Sequence, residues 1–412
     1  MAAGRSARRR GHPRRRRHRP SQRGRPERAR GPGIAVLRAI TVGSATDELL
    51  TILDDVLAGR GAAILPVPAD DERQSSLLTN TLRAGEDIDD DVAVVISTSG
   101  TTGKPKGALL TADALRASAT ATHARLGGAG RWLLALPAYH IAGLQVLVRS
   151  ALSGTPPVTV SASFDPAELP SAVAALGGGR RYASLVAVQL DKCLRDAAAA
   201  DALADLDAVL IGGGPMPAGV ADRARAAGVN VVRTYGMSET AGGCVYDGVA
   251  LDGVSVRIDN SRILLGGATV AKGYRNPISP DPFADPGWFR TDDLGTVDDS
   301  GVLRVLGRID DAVSTGGLTV LPQLVESALA GHPAIADCAV FGVPDERLGQ
   351  RVVAALVLAP GASAPDVAEL RTQVAQTLDA TAAPREVHIV DELPRRGIGK
   401  LDRRALAARY TG

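Results

Sequence analysis

The sequence is poor in the residues that mark secreted, metal-binding and membrane-spanning proteins. Its three cysteines (Cys193, Cys244 and Cys338) are far apart and form no Cys-x-x-Cys pair. This pattern excludes a disulfide framework and a thiolate metal site, and it favours a reducing, cytoplasmic location. The six histidines show no metal-ligand spacing. No apolar run approaches the roughly 18 residues of a membrane-spanning helix, and none follows the basic N-terminus, so neither a transmembrane segment nor a secretory signal is expected.

Lysine is scarce as well. Five of the 47 basic residues are lysine, and the other 42 are arginine. The chain meets its general need for positive charge with arginine, so a lysine inside a motif stands out. The length of 412 residues suggests two or three domains of about 100–200 residues each.

The net charge of +2 conceals two oppositely charged regions. Thirteen arginines and one glutamate give residues 1–32 a charge of +12, whereas the other 380 residues hold 34 basic and 44 acidic groups and carry −10. Residues 1–32 contain Arg, Gly, Pro and Ser without periodicity, which predicts a disordered tail. We expect translation to begin near Val36 or Leu37, with the tail arising from an upstream start. Peptides from residues 1–32 in the native protein would refute this.

From Gly33 onwards, apolar runs alternate with Ala-rich helical stretches. Strands are predicted at Val92–Ile96, Trp132–Leu136, Ala183–Leu185, Ala208–Ile211 and Val229–Thr234, and helices at Ala112–Leu126, Ile141–Leu152, Pro166–Leu176, Val186–Ala198 and Pro217–Ala227. This alternation is typical of a parallel α/β sheet.

Two further regions follow along the chain. Short alternating runs at 251–306 predict a small antiparallel β unit, and the stretch after Gly307 mixes helices with strands. The acidic turn at Asp310 and Asp311 marks a boundary between them. The predicted plan is an α/β protein with a large N-terminal body that includes the β-rich portion (33–306) and a small α+β C-terminal domain (312–412), joined at 307–311.

The sharpest local signal is the string Ser97-Thr-Ser-Gly-Thr-Thr-Gly-Lys-Pro-Lys-Gly107, which lies between a predicted strand and a predicted helix. Glycines let the backbone approach a ligand, hydroxyls add donors and two lysines add charge, as a polyphosphate-binding loop requires. It is not the common P-loop, because Thr98 stands where that motif has its first glycine and Pro105 follows Lys104.

This loop resembles the phosphate-binding signature of the adenylate-forming superfamily, which includes acyl-CoA synthetases, luciferases and peptide-synthetase adenylation domains. Six further strings resemble the family's motifs in the family's order: Leu136–His140, Gly212–Pro215, Tyr235–Thr240, Trp288–Gly295, Gly307–Asp311 and Pro394–Arg403. The resemblance covers about 90–410. It departs from the family pattern at Ser238, Asp292, Leu318 and Leu324, and the segment before the loop is short.

The resemblance implies a reaction in two halves. A carboxylate attacks the α-phosphorus of ATP to give acyl-AMP and pyrophosphate, and a thiol such as that of CoA then displaces AMP. The first half brings an anion against a polyanion, so the site needs positive charge and oriented donors around the phosphates, together with Mg²⁺. A mobile C-terminal domain would rotate between the halves about a hinge at Asp310.

The resemblance also assigns roles to individual residues. Lys400 would meet the carboxylate and the α-phosphate, Glu239 would hold Mg²⁺, and His140 would lie beside the acyl pocket and gate thiol entry. The implied ATP and AMP ligands are Thr98, Ser99, Gly100, Thr101, Thr102, Gly103, Lys106, Gly212, Gly213, Gly214, Tyr235, Gly236, Ser238, Asp293 and Arg308. Gly316 and Gly317 would line a tunnel for the pantetheine arm of CoA.

Three longer strings, at 136–144, 184–190 and 246–254, look like those of short actinobacterial o-succinylbenzoate–CoA ligases of menaquinone synthesis. That acid has two carboxylates, one to be activated and one to be held. Arg149, on the helix after His140, is a candidate for holding the second; alternatively it is a solvated or ion-paired arginine.

Other functions stay open at this point. Another aryl- or acyl-CoA ligase or a carrier-protein-loading enzyme would share these motifs, and an inactive homologue would have lost some of them. The Arg-rich tail would suit a nucleic-acid-binding protein, but it lacks interleaved aromatic residues and the rest of the chain is acidic. We therefore expect small-molecule partners (a carboxylic acid, ATP and CoA) and no nucleic acid on the folded body. The sequence leaves the oligomeric state open, with a dimer as one candidate.

Overall fold

The computed structural model describes Met1 and residues 33–43, 46–98, 104–161, 163–396 and 399–411. Residues 2–32 of the predicted disordered tail (1–32) lie outside the described residues. So do five residues of the phosphate-loop prediction: Ser99, Gly100, Thr101, Thr102 and Gly103. Within the described ranges, no helix is long and apolar enough to cross a membrane.

The first structural unit is a four-stranded sheet with the order β2-β3-β5-β6. Its strands are β2 (Arg38–Val42), β3 (Ile64–Pro68), β5 (Val92–Ile96) and β6 (Ala108–Thr111), and β1 (Ile34–Val36) pairs beside it with β4 (Asp87–Asp89). All residues of β3 and β5 are buried, as expected of strands that are covered on both faces. The phosphate loop connects β5 to β6.

The central unit is a seven-stranded sheet with the order β13-β12-β11-β10-β9-β7-β8. Its strands are β7 (Arg131–Leu134), β8 (Val158–Thr159), β9 (Arg181–Val186), β10 (Ala208–Gly212), β11 (Val231–Met237), β12 (Gly242–Tyr246) and β13 (Val249–Ala250). Strands β8, β7, β9, β10 and β11 run parallel. The carboxyl ends of parallel strands form one edge of a sheet, and ligands bind along that edge in folds of this kind.

Helices cover both faces of these sheets. They are α1 (Asp47–Leu57), α2 (Glu72–Thr81), α3 (Ala112–Arg125), α4 (Ile141–Ser153), α5 (Leu169–Ala175), α6 (Ala187–Cys193), α7 (Ala197–Ala204) and α8 (Ala218–Ala226). Adjacent residues of a strand face opposite sides, so Trp132 packs in the core with α3 and α4 while Leu133 packs in the core with α5 to α8.

The β-rich portion is an antiparallel sheet with the order β14-β15-β16-β17. Its strands are β14 (Val254–Asp259), β15 (Arg262–Gly267), β16 (Trp288–Val297) and β17 (Leu303–Arg308). Asp293 of β16 and Arg308 of β17 are register partners, so two of the predicted nucleotide ligands lie side by side at the end of this sheet.

The C-terminal unit contains a sheet with the order β19-β18-β21-β20, in which β22 also pairs with β21. Its elements are β18 (Val313–Thr315), β19 (Leu318–Val320), α9 (Pro322–Leu329), β20 (Ile335–Asp345), β21 (Gly349–Leu358), α10 (Val367–Ala375), β22 (Glu386–Ile389), β23 (Arg395–Arg396), β24 (Lys400–Leu401) and α11 (Arg403–Tyr410). Val352 packs towards α9 and α10, and its neighbour Val353 packs towards α11.

Most of the predicted elements are present, and two have different forms. The predicted helix Val186–Ala198 is two helices, α6 and α7, because Asp196 caps a new helix by accepting a hydrogen bond from the Ala199 amide at 2.9 Å. The predicted helix Pro166–Leu176 begins with a 3-10 turn at Pro166–Glu168. The antiparallel β unit predicted for 251–306 is confirmed.

Candidate active site

Glu239 occupies a short 3-10 turn (Ser238–Thr240) that directly follows β11. Its carboxylate is buried and accepts a hydrogen bond of 2.6 Å from the hydroxyl of Tyr274. Burial raises the pKa of Glu239, and the hydrogen bond from Tyr274 and the positive charges of Lys106 and Lys400 oppose that rise. The buried carboxylate is therefore influenced by the positive charges of two lysines.

Lys106, at the end of the phosphate loop, also meets Tyr274. Its ammonium nitrogen lies 5.1 Å from the centre of the Tyr274 ring, within the range of a cation–π contact. The loop is fastened just here, because the Asn276 side chain donates to the carbonyl of Pro105 at 3.0 Å and the Arg275 amide donates to the carbonyl of Gly107 at 2.7 Å. The described part of the loop therefore has a fixed end next to Glu239.

Asp293 is the second buried carboxylate of the site. It accepts hydrogen bonds from the Tyr235 hydroxyl at 2.6 Å and from Arg308 Nη1 at 3.3 Å. Burial raises the pKa of Asp293, and Tyr235 and Arg308 oppose that rise. Burial and the adjacent carboxylate raise the pKa of Tyr235 well above its ordinary value, so the phenol keeps its proton and remains a donor.

Arg308 connects Asp293 to the predicted hinge residue. Its Nε and Nη2 atoms donate to the two carboxylate oxygens of Asp310 at 2.8 and 3.0 Å. Burial alone would lower the pKa of Arg308, but the bond to Asp310 and the surrounding carboxylates outweigh burial and raise it. The guanidinium is therefore a permanent cation at the junction with the C-terminal unit.

Lys400 reaches this cluster from the C-terminal unit on the β23–β24 hairpin. An ideal Cβ on Gly399, which has a φ of +91°, would lie 3.4 Å from Val188 Cγ2 of α6, so the hairpin turn packs against the large body. Partial burial and the charge of Arg308 lower the pKa of Lys400, whereas Glu239 and Asp293 raise it. Charged side chains from β16, β17 and the turn after β11 therefore influence a lysine of the C-terminal unit.

His140 immediately precedes α4, and its ring contacts that of Tyr139 with 4.6 Å between centroids. Burial, assisted by the positive charge of Lys400, lowers the pKa of His140 to about 4. The imidazole is therefore neutral near pH 7.

The glycine-containing strings lie around the carboxyl ends of β10 and β11. Gly212 ends β10, while Gly213 and Gly214 are exposed beyond it. Gly236 lies in β11, where a Cβ would overlap the carbonyl oxygen of Gly242 and approach Gly243 Cα to 2.7 Å, so this close approach of β11 to β12 requires glycine.

The structure describes four more of the predicted site residues: Ser238, Thr98, Gly316 and Gly317. The carbonyl of Ser238 accepts the amide of Ala241 at 3.2 Å within the turn that carries Glu239. The Thr98 hydroxyl oxygen is buried without a hydrogen-bond partner among the described atoms. Gly316 and Gly317 form the turn between β18 and β19, with φ values of +56° and +84°, and a Cβ on Gly317 would meet no atom within 4 Å.

Arg149 lies on α4 and is buried, with only 3% of its surface exposed. Its guanidinium carbon lies 4.8 Å from the centre of the Trp132 ring, and Nη2 lies 3.4 Å from the Tyr246 hydroxyl. Nε has no hydrogen-bond partner, and within the described ranges no carboxylate pairs with Arg149. The solvated or ion-paired alternative is therefore wrong, because Arg149 is a buried cation without a described counter-ion.

Sequence reasoning missed Tyr274, Arg275 and Asn276, which bring the phosphate loop and Glu239 together. One signal was available: the chain has only six tyrosines, and one of them stands in a polar string, Lys272–Asn276, between two β-rich segments.

Comparison with known families agrees with the fold and with this cluster. Residues 40–274 match the AMP-binding enzyme family, and residues 324–400 match the AMP-binding enzyme C-terminal domain. The chain belongs to the AMP-binding enzyme family, as the sequence resemblance predicted. The two matches fall on the large body and on the C-terminal unit respectively.

Within that family the chain is similar to 2-succinylbenzoate–CoA ligases. It is 64% identical over 383 residues to a probable 2-succinylbenzoate–CoA ligase of Mycobacterium tuberculosis, covering 91% of this chain and 99% of the relative. It is 34% identical over 342 residues to the 2-succinylbenzoate–CoA ligase of Geobacillus kaustophilus, covering 77% of this chain and 69% of the relative.

Solved structures agree with these relatives. The o-succinylbenzoate CoA synthetase of Bacillus subtilis in complex with the acyl-adenylate intermediate OSB-AMP matches with a TM-score of 0.67 and 28% identity, over 89% of this chain and 82% of that chain. The same enzyme in complex with ATP and a magnesium ion matches with a TM-score of 0.66 and 27% identity, over 89% and 83%. The expected fold class, a large α/β N-terminal part with a small C-terminal domain, is confirmed.

Proposed function

We propose that this chain is an AMP-forming acid–thiol ligase that activates o-succinylbenzoate with ATP and transfers the acyl group to CoA, a reaction of menaquinone biosynthesis. The observation that carries the proposal is that the hairpin with Lys400 packs against α6 of the large body at Gly399, where the charges of Glu239, Asp293 and Arg308 influence the pKa of Lys400. A reaction between two anions needs such a cation at the reacting atoms. The similarity to named ligases over nearly their whole length supports the choice of acid.

The nucleotide would bind along the carboxyl edge of the central sheet. Asp293 would accept both ribose hydroxyls, and Arg308 would donate to ribose or to a phosphate. Tyr235 would present its ring to adenine while its hydroxyl remains on Asp293. Thr98, Lys106 and the glycine strings would bind phosphates and adenine, together with the loop residues predicted above.

Mg²⁺ fits the donor chemistry of this site. Glu239 is a buried carboxylate with Oε1 bonded to the hydroxyl of Tyr274, and the described residues contain no cluster of three or more metal-binding side chains. A single protein carboxylate together with substrate phosphates suits Mg²⁺, which seldom uses an all-protein cage. When bound there, the ion would offset the charge of the phosphate oxygens.

In the first half-reaction an oxygen of the substrate carboxylate attacks the α-phosphorus, and the bond from that phosphorus to the bridging oxygen breaks, which releases pyrophosphate. Lys400 would hold the carboxylate against the α-phosphate and stabilise the developing charge. His140, which is neutral near pH 7 because its pKa is about 4, would line the acyl side of the site without adding a charge.

In the second half-reaction the CoA sulfur attacks the acyl carbonyl carbon, and AMP leaves with the bonding electrons. Lys400 is not needed for this step, and the narrow pantetheine arm needs a path to the carbonyl. Rotation of the C-terminal unit about Asp310 would withdraw Lys400 and bring Gly316 and Gly317 to that path, where glycine permits close backbone approach.

Arg149 would bind the second carboxylate of the acid. A buried guanidinium without a counter-ion is costly for a folded protein, and an incoming carboxylate would offset that cost. The Nε atom of Arg149 has no hydrogen-bond partner. An aryl acid that carries a second carboxylate would supply both the partner and the counter-ion that Arg149 lacks.

A screen of acids with the purified protein tests the proposal. The reaction would contain ATP, Mg²⁺ and CoA, and it would be followed by pyrophosphate release and by mass spectrometry of the thioester. We expect o-succinylbenzoate to give the highest kcat/KM among aryl, fatty and short dicarboxylic acids. A different preferred acid, or an acyl-adenylate that is passed to a carrier protein and not to CoA, would refute the assignment.

A further inference from the structure

Two adjacent carboxylates at the junction are held by arginines from opposite sides. Asp310 accepts two hydrogen bonds from Arg308, which ends β17 of the large body. Asp311 accepts hydrogen bonds of 3.1 Å from Gln323 of α9 and from Nη1 of Arg403 in α11. The two groups of contacts therefore meet at the peptide bond between Asp310 and Asp311.

Arg403 is bound more extensively than a surface arginine. Its Nη2 donates to both oxygens of Glu326 at 2.6 and 2.7 Å, and its Nε donates to the carbonyl of Val340 at 3.1 Å. The exposed fractions of the Arg403 and Glu326 side chains are 14% and 12%. A guanidinium can bind three groups in one plane, which the single ammonium of lysine cannot do.

The hairpin that carries Lys400 is fixed to the same unit. Arg403 follows Lys400 by three residues and is the first residue of α11. Arg395, at the start of the hairpin, donates to the Gly399 carbonyl at 3.0 Å and to Asp337 at 2.6 Å. Asp402 accepts the amide of Ala405 at 3.0 Å and so begins α11 directly after the hairpin.

We propose that Arg403 is a positioning residue that couples the hinge to Lys400. Arg403 binds Asp311 and thereby fixes the orientation of the Lys400 hairpin relative to the chain that leaves the hinge. A rotation between Asp310 and Asp311 then moves Lys400 as part of one rigid unit. The inference rests on the proposed function, since it assigns Lys400 to adenylation.

The proposal predicts which kinetic constant changes. The residues proposed to bind ATP, such as Glu239 and Asp293, belong to the large body and do not depend on Arg403. Loosening the contact to Asp311 would misplace Lys400 and leave ATP binding intact. A misplacement of about 1 Å can cost about 100-fold in rate, so we expect kcat for adenylation to fall while KM for ATP changes by less than about twofold.

Asp311→Asn and Arg403→Lys, alone and combined, test the coupling. Asp311→Asn is the sharper variant, because it keeps the Arg403–Glu326 pair that stabilises the unit. Each should lower kcat for pyrophosphate release by about 10-fold or more, and the double variant should be no slower than the worse single variant, because both remove one contact. Arg409→Met, on the exposed side of α11, is the matched control and should behave as wild type.

Hydrogen–deuterium exchange of residues 395–402 gives a readout that needs no substrate. We expect faster exchange there in Asp311→Asn, with the melting temperature close to that of the wild type. Wild-type kcat in Asp311→Asn, or losses that multiply in the double variant, would overturn the coupling. Failure of the wild type with o-succinylbenzoate would count against the proposed substrate alone, because the exchange measurement still decides the role of Arg403.

Discussion

The hydroxyl of Tyr274 donates a 2.6 Å hydrogen bond to Glu239, although 35 residues separate them. Glu239 follows the central sheet, and Tyr274 lies in the connection that leaves β15. The same tyrosine ring lies under the ammonium of Lys106. One side chain thus contacts both a phosphate-loop residue and the carboxylate proposed to hold Mg²⁺.

Tyr274→Phe should weaken the site without removing any charge. Hydrogen bonds to charged groups contribute about 1.5–3 kcal/mol, so we expect kcat/KM for ATP to fall by about 10-fold to 100-fold. The concentration of Mg²⁺ that gives half-maximal pyrophosphate release should rise, because Glu239 would no longer be held in one orientation. Titration of Mg²⁺ at saturating ATP measures this.

Tyr410→Phe is the control for this change, because Tyr410 lies on α11 and stacks on His388 with 3.8 Å between ring centroids. It removes a hydroxyl from the C-terminal unit and should leave the Mg²⁺ dependence unchanged. An unchanged Mg²⁺ dependence in Tyr274→Phe would show that this tyrosine does not orient Glu239.

Lys400→Met should separate the two half-reactions. Removing one preorganised charge at a developing anion costs about 100-fold to 1,000-fold in rate, so pyrophosphate release should fall by that amount. Transfer of the acyl group from a preformed acyl-adenylate to CoA should stay within about threefold of wild type. Lys192→Met, an exposed change on α6, should alter neither step. Equal losses in both steps would contradict the assigned role.

Local sequence patterns predicted some features of this molecule and could not predict others. Asp293 and Arg308 were predicted from their motifs, and the antiparallel register of β16 and β17 makes them neighbours. The contact of Tyr274 with Glu239 was not predictable, because it depends on how two sheets pack. The break between α6 and α7 was within reach, since Asp196 is a favourable N-cap residue that the Ala-rich context obscured.

His123 should give the protein a measurable pH dependence of stability. Burial, with a smaller contribution from the charge of Arg149, lowers the pKa of His123 from 6.5 to about 4. Between those values the unfolded chain binds a proton that the folded protein does not, so this contribution is complete above pH 6.5 and is lost as the pH falls towards 4. We expect His123→Gln to lose less unfolding free energy than the wild type between about pH 7 and 5.

Urea denaturation of both proteins across that range measures the difference. The buried carboxylates Glu239 and Asp293 have raised pKa values, so they change the unfolding free energy with pH in the opposite direction. Both proteins contain them, so their effect cancels when the two proteins are compared. If the unfolding free energies of wild type and His123→Gln changed in parallel with pH, His123 would titrate alike in the folded and unfolded chain.

Arg149→Met should separate substrate recognition from stability. If Arg149 holds the second carboxylate, KM for o-succinylbenzoate should rise by about 10-fold or more, since hydrogen bonds to charged groups contribute about 1.5–3 kcal/mol. KM for analogues that keep only the activated carboxylate should change little. Because a buried unpaired cation costs stability, the melting temperature of the ligand-free variant should be at least that of wild type. Arg116→Met, on α3, should leave both acids unaffected, and equal increases in KM for both acids would exclude Arg149 as the second carboxylate's ligand.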